Sequence, residues 1–179
     1  MVSSLITKKR IAKAFKKLFV IQPFDKISVS VIMEEAGIRR QTFYSHFVDK
    51  YELMEWIFQT ELREQVTDNL DYISGMQLLT ELLDFCHRNR EFYGKLFEIA
   101  DQNDFSSYFE GYCRQLIDKL VEDYQFRDFD SQAERELFLI YHSLALANVI
   151  KRFLTSRLSL GRLESQAIVQ LITASLKNY

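Results

Sequence analysis

Apolar residues recur along this chain at helical spacing nearly from end to end. Ile11, Ala14, Phe15, Leu18 and Phe19 make one stripe, with Lys9, Lys13, Lys16 and Lys17 on other faces. They predict a helix over about residues 4–21. Gln22-Pro23-Phe24-Asp25 ends it, because proline cannot continue a helix cheaply. A fourth helix is predicted over about 50–72, after two short ones between residues 28 and 47. Ser74-Gly75 breaks the pattern. Further helices follow over 76–89, about 90–100 and about 105–125, with residues 101–104 as a connection. Ser131-Gln132-Ala133-Glu134 has the form of a capping box and opens an eighth helix reaching about 157. That helix is apolar nearly all round, so burial on more than one side is expected. Leu160-Gly161-Arg162 breaks the chain again, and residues 164–177 carry a last amphipathic stripe of Ala167, Ile168, Leu171, Ile172 and Leu176. The expectation is an all-α protein of about nine helices: a three-helix head, a long joining helix and a C-terminal helical bundle.

Composition supports this. Of 179 residues only five are Gly and one is Pro, which leaves little material for long turns. The apolar share of 47% is ordinary for a globular chain that buries a real core. No apolar run looks long enough to span a membrane, and MVSSLITKKR has no cleavage-site pattern. Two cysteines make no disulfide framework. A cytoplasmic protein with no membrane partner is expected. Its charge is uneven. Residues 1–55 hold ten Lys or Arg against six acids, a net of +4, so the overall −2 leaves −6 for the remainder. A basic head on an acidic body suits a head that meets phosphate.

Residues 27–53 are the most specific stretch. Ser28 is placed to cap a short helix that carries Val31, Ile32 and Glu35 to Ala36. Gly37 follows, where a helix-ending left-handed residue is wanted. A second helix then begins near Arg39. Ile38, Phe43 and Phe47 are spaced to face inward, which leaves Arg39, Arg40, Gln41, Tyr44 and Ser45 outward. Asp49 caps the next helix, with Glu52 three residues on. Two short helices about a tight turn can set one helix into the major groove of DNA.

These residues resemble the DNA-binding signature of TetR-like bacterial transcription regulators. The resemblance lies in Ile27-Ser28-Val29, Ile32, Ala36-Gly37-Ile38, Thr42-Phe43-Tyr44, Phe47 and Lys50 followed by Leu53, and covers about the first third of the chain. Arg39-Arg40-Gln41-Thr42-Phe43-Tyr44 with Asp49-Lys50-Tyr51-Glu52-Leu53 looks most like the dihydroxyacetone-kinase operon regulator subgroup. Met33 departs from the pattern, which usually has a small Ala there. The resemblance implies a DNA-binding domain over residues 1–50 and a ligand-sensing and dimerisation domain over 51–179. It implies a homodimer on a pseudo-palindromic double-stranded DNA operator, controlled by a small-molecule effector or a co-regulator protein, as repressor or activator. Arg39, Arg40 and Gln41 are the expected base readers, since Arg pairs bidentately with guanine and Gln with adenine. Tyr44, Thr42, Ser28, Ser30, His46 and Lys50 are the expected backbone contacts.

Within the body, Phe85, Tyr93, Phe97, Tyr112, Tyr141, His142 and Asn148 are the candidate lining of an effector pocket. An aromatic stripe is also what plain core looks like, and a buried polar group needs only a partner. Cys86, His87, Cys113 and His142 could supply soft metal ligands, but no spacing among them resembles a zinc motif. No metal site and no cofactor is expected. The chain has no Gly-rich phosphate loop, no His-Glu-x-x-His and no nucleophile elbow, so an enzyme is not expected. The competing class is a helical small-molecule, metal-binding or interaction protein whose helix-turn-helix is incidental.

Overall fold

The computed structural model describes residues 2–99, 105–124, 129–155 and 164–177. Among them are nine α-helices, two single-turn 3-10 helices and no strand. The chain forms two compact units, Met1–Thr60 and Glu61–Tyr179. The division falls within the fourth helix. The connections expected at 101–104 and 160–162 lie outside the described residues, as does the side chain of Leu176.

In the first unit α1 (Val2–Ile21) packs on α2 (Val29–Ala36), followed by α3 (Arg40–Phe43) and the start of α4 (Lys50–Gln65). Ile11, Phe15, Phe19, Ile27, Ile32, Phe43, Leu53 and Met54 are essentially inaccessible. A 3-10 turn (Phe24–Lys26) puts Phe24 edge-on against Phe15, Phe19 and Tyr51. Met33, the departure from the family pattern, is buried, its flexible thioether filling space that a methyl group would leave open.

The joining helix ends earlier than its periodicity suggests. Gln65 is the last α-helical residue, and a 3-10 turn (Thr67–Asn69) follows. The Asn69 amide turns back to donate to the Glu64 carbonyl at 2.6 Å, closing the helix end with a side chain.

The second unit contains α5 (Gly75–Arg88), α6 (Arg90–Ile99), α7 (Phe105–Tyr124), α8 (Gln132–Leu154) and α9 (Ser165–Lys177). Ser74 caps α5, and Ser131 caps α8 by accepting from the Glu134 amide at 3.1 Å. Glu134 accepts from the Asp130 amide at 2.7 Å, one residue ahead of the cap, so the predicted capping box forms with its return bond shifted to the preceding amide. The neighbouring α7 and α8 are tied by Arg114 with Glu136 and Arg135 with Asp118. Leu78, Leu82, Cys86, Phe105, Cys113, Leu116, Ile117, Leu139 and Ile150 supply the core.

Helix α8 corrects two expectations. Only one side is buried within the chain, through Leu139, His142, Ser143, Leu146, Ala147, Ile150, Phe153 and Leu154. Leu137, Ile140, Tyr141, Leu144 and Val149 lie exposed on the other. By length and composition α8 is also the one described helix apolar enough to cross a membrane, because its charged residues cluster at the two ends. Here it serves as the core helix of the body.

Candidate nucleic-acid interface

The turn between α2 and α3 is set by three local devices. The Ser28 hydroxyl accepts from the Val31 amide at 3.3 Å and fixes the start of α2. Gly37 ends α2 in the left-handed region at φ 62° and ψ 38°, where a side chain would be strained. The Ile38 amide then returns to the Met33 carbonyl at 3.0 Å. Arg39 takes an extended conformation and α3 starts at Arg40. This helix is only one turn long before the chain bends at Tyr44–His46. Buried Phe43 and Phe47 hold it to the head, their ring centroids 5.6 Å apart.

That anchoring leaves Arg39, Arg40, Gln41, Tyr44 and Ser45 exposed together. Arg40 and Tyr44, one turn apart, meet on this surface: the guanidinium donates to the phenol oxygen at 3.3 Å and lies 6.0 Å from the ring centroid. Thr42 is half-buried. His46 is also half-buried, its Nδ1 3.5 Å from the Ser4 hydroxyl oxygen. Ser28 and Ser30 are exposed at the start of α2. The start of α4 is built by Asp49, whose carboxylate accepts from the Tyr51 and Glu52 amides at 2.8 and 2.9 Å. Glu52 accepts in turn from the Val48 amide at 2.5 Å, so the second predicted box likewise returns to the residue before the cap. Lys50 is half-buried, and its ammonium donates to two backbone carbonyls, Phe24 at 2.8 Å and Ile27 at 3.1 Å.

Two contacts were not anticipated. The Lys8 ammonium sits 5.0 Å from the Phe47 ring centroid and 5.6 Å from that of Trp56. Lys8 shares the spacing of Ile11, Phe15 and Leu18, and that register is the signal that its stem lies on the packed face of α1. The second is the exposed ion pair of Lys17 with Glu35 at 2.6 Å, between α1 and α2.

In the body the seven candidate pocket residues have different surroundings. Phe85, Tyr93 and Phe97 are core. The Tyr93 hydroxyl donates to Glu61 at 2.5 Å, and burial first, then Glu61, pushes the phenol well above its ordinary range. Tyr112 is half-buried, whereas Tyr141 and Asn148 face solvent. His142 is buried with its ring 4.1 Å from that of Phe138, and desolvation lowers its pKa. Ser143 and Asn148 bond to carbonyls of their own helix: Ser143 donates to the Ile140 carbonyl at 3.0 Å and Asn148 to that of Leu144 at 2.9 Å. Phe97 and Asn148 do share a cleft of about 170 Å³, lined also by Ser106, Phe109, Glu110 and Lys151. A second, more open cleft of about 420 Å³ lies over Arg90, Gly94, Lys95, Glu98 and Leu154.

The thiols of Cys86 and Cys113 are free and buried. Desolvation pushes Cys86 up to about 12 and Cys113 well above its ordinary range. His87 is exposed at the far end of α5, facing the Phe153 ring. Among the described residues no three His, Cys, Asp or Glu side chains are grouped to hold a metal ion.

A helix-turn-helix with an exposed polar reading helix, in an all-α chain with a separate helical body, defines a DNA-binding regulator of transcription. Comparison with known proteins agrees. Residues 11–57 match the family described as bacterial regulatory proteins, tetR family, and residues 75–174 match a transcriptional regulator C-terminal region. The chain belongs to the TetR family of transcriptional regulators. It is 38% identical over 179 residues to the HTH-type dhaKLM operon transcriptional activator DhaS of Lactococcus lactis subsp. lactis, covering 99% of this chain and 94% of that one. The solved structure of a dihydroxyacetone kinase operon activator DhaS superposes with a TM-score of 0.86 at 34% identity, covering 98% of each chain. A TerR/AcrR-family transcriptional regulator from Aquifex aeolicus shares the fold at a TM-score of 0.56 and 20% identity, over 96% of this chain and 98% of that one.

Proposed function

We propose that this chain is a homodimeric regulator that reads a pseudo-palindromic operator with residues 28–50 and controls a dihydroxyacetone kinase operon, as an activator. The observation that carries the DNA-reading part is the joint exposure of Arg39, Arg40, Gln41 and Tyr44 on a one-turn helix pinned from behind by Phe43 and Phe47. Arg39, Arg40 and Gln41 read base edges, while Ser28, Ser30, Thr42, Tyr44, His46 and the backbone amide of Lys50 meet phosphate. The exposed apolar residues of α8, with Leu171 of α9, are the surface on which a second copy packs. The operon and the sign of regulation rest on full-length likeness to the DhaS activators.

Regulatory input reaches residues 61–179, which act as the sensing and dimerising part in the cytoplasm. The seven pocket candidates divide between core, cleft and solvent, which favours a co-regulator protein on the body surface over a buried small-molecule effector. Selection of random duplex DNA by the purified protein, followed by affinity against salt, tests the reading. An enriched pseudo-palindrome with steep salt dependence is expected. Equal binding to all duplexes sinks the operator-reading role.

A further inference from the structure

Lys50 opens α4, and its side chain runs back into the head. Its ammonium donates to the carbonyl oxygens of Phe24 and Ile27 at 2.8 and 3.1 Å and lies 4.1 Å from the centroid of the Phe24 ring. Phe24 itself is buried, with its ring against Phe15, Phe19 and Tyr51. The Phe24 carbonyl opens the 3-10 turn (Phe24–Lys26) and also accepts from the Ile27 amide at 3.0 Å. The Ile27 carbonyl lies just past the end of the turn, so the ammonium sits where helix-end carbonyls attract a cation. Two of the three ammonium donors are therefore spent inside the protein, and the third side of the charge rests on an aromatic face.

The position of the carbonyls matters as much as their number. Ile27 immediately precedes Ser28, the residue that caps α2. Lys50 immediately follows Asp49, the residue that caps α4. One ammonium thus ties together the starts of two helices.

The geometry points to Lys50 as a positioning residue: an internal latch that fixes the start of α2 against the start of α4, and not a free cation reaching for phosphate. The inference rests on the reading of this surface as the DNA face. Its consequence is specific. The ammonium displaces no counterion from DNA, so its loss leaves the salt slope of binding unchanged. It does loosen the alignment of the two helix starts, so the preference for operator over unrelated duplex falls.

The test has two arms. In the first, the unmodified protein without DNA is treated with a limiting amine-acetylating reagent, and labelling is followed by mass spectrometry. Lys50 is expected to react several-fold more slowly than the exposed Lys13 and Lys26. Equal rates overturn the latch. This arm needs neither a variant nor DNA, so it stands even if the DNA reading fails. In the second, Lys50→Met is compared with the unmodified protein on operator and random duplex, at a temperature where both are folded by circular dichroism. The expected result is a roughly tenfold loss of operator preference, the scale of one charge-assisted hydrogen bond, at an unchanged salt slope. A slope lower by about one identifies a phosphate clamp and overturns the proposal. An unchanged operator preference also overturns it, because a contact that only stabilises the head does not move that ratio.

Discussion

The Cβ that Gly94 lacks would lie 2.6 Å from the carbonyl oxygen of Leu154, so α6 crosses the end of α8 at backbone distance. No side chain fits there without moving one helix, and Leu154 is the last residue of α8, with its carbonyl fixed by the chain. Gly111, in the middle of α7, is the opposite case: a Cβ there meets nothing within 4 Å.

The two glycines therefore predict opposite signs for one substitution. Gly94→Ala is expected to destabilise the body by about 1–3 kcal/mol, the range for overpacking a fitted contact. Gly111→Ala is expected to stabilise it by about 0.5–1 kcal/mol, because alanine relieves the entropy cost of glycine in a helix. Urea unfolding of the two variants reads both. A stabilised Gly94→Ala would refute the close crossing.

Much of this architecture is legible in the sequence, for reasons that differ by element. The caps at Asp49–Glu52 and Ser131–Glu134 are local, and their partners lie within four residues, so the pattern finds the helix starts even though each return bond lands one residue ahead of the cap. The left-handed turn at Gly37 is equally local. The early end of α4 was hidden, because it depends on the Asn69 side chain folding back onto Glu64. Periodicity could not say that α8 buries one side only, since Leu137 and Leu144 are as apolar as Leu139 and Leu146. In the site, the exposure of Arg40 and Tyr44 follows from their spacing against Phe43 and Phe47. The commitment of the Lys50 ammonium does not, because Phe24 and Ile27 come to it only through the tertiary fold.

High pH should loosen the body before the head. Tyr93, Cys86 and Cys113 all have their pKa raised by burial, with unfolded values near 10 and 9. The sign follows from linkage: the unfolded chain releases these protons first, so it binds fewer protons than the folded one above about pH 9. The stability from these groups is complete below pH 9 and is lost as pH rises toward the folded values. Melting temperature is expected to fall steadily between pH 9 and 11, with no tyrosinate absorbance from Tyr93 until unfolding. Titration of all nine tyrosines at ordinary pH in the folded protein would contradict the buried Tyr93–Glu61 pair.

Gln41→Ala separates reading from attachment. Gln41 is exposed on α3 and carries no charge, so its loss should leave the salt slope of DNA binding as it was. Loss of one bidentate base contact costs about 1–3 kcal/mol of discrimination at a single base pair of each half-site. Affinity for random duplex should hardly change. An equal loss on selected and random DNA removes Gln41 from the set of base readers.

The exposed leucines of α8 make the dimer testable without disturbing the single chain. Leu137 is 67% and Leu144 41% exposed, so neither contributes much to the core of its own body. Replacing both with glutamate should therefore leave the intrinsic stability of one chain within about 0.5 kcal/mol. In a two-fold dimer the same leucines are buried, each stabilising by about 1.5–3 kcal/mol, and every change counts twice. The dimer dissociation constant is expected to rise by at least about a hundredfold, seen as a monomer in sedimentation at micromolar concentration. Operator binding should weaken in parallel, because a single head holds only one half-site. A double variant that still sediments as a dimer and binds operator fully would move the interface away from this face.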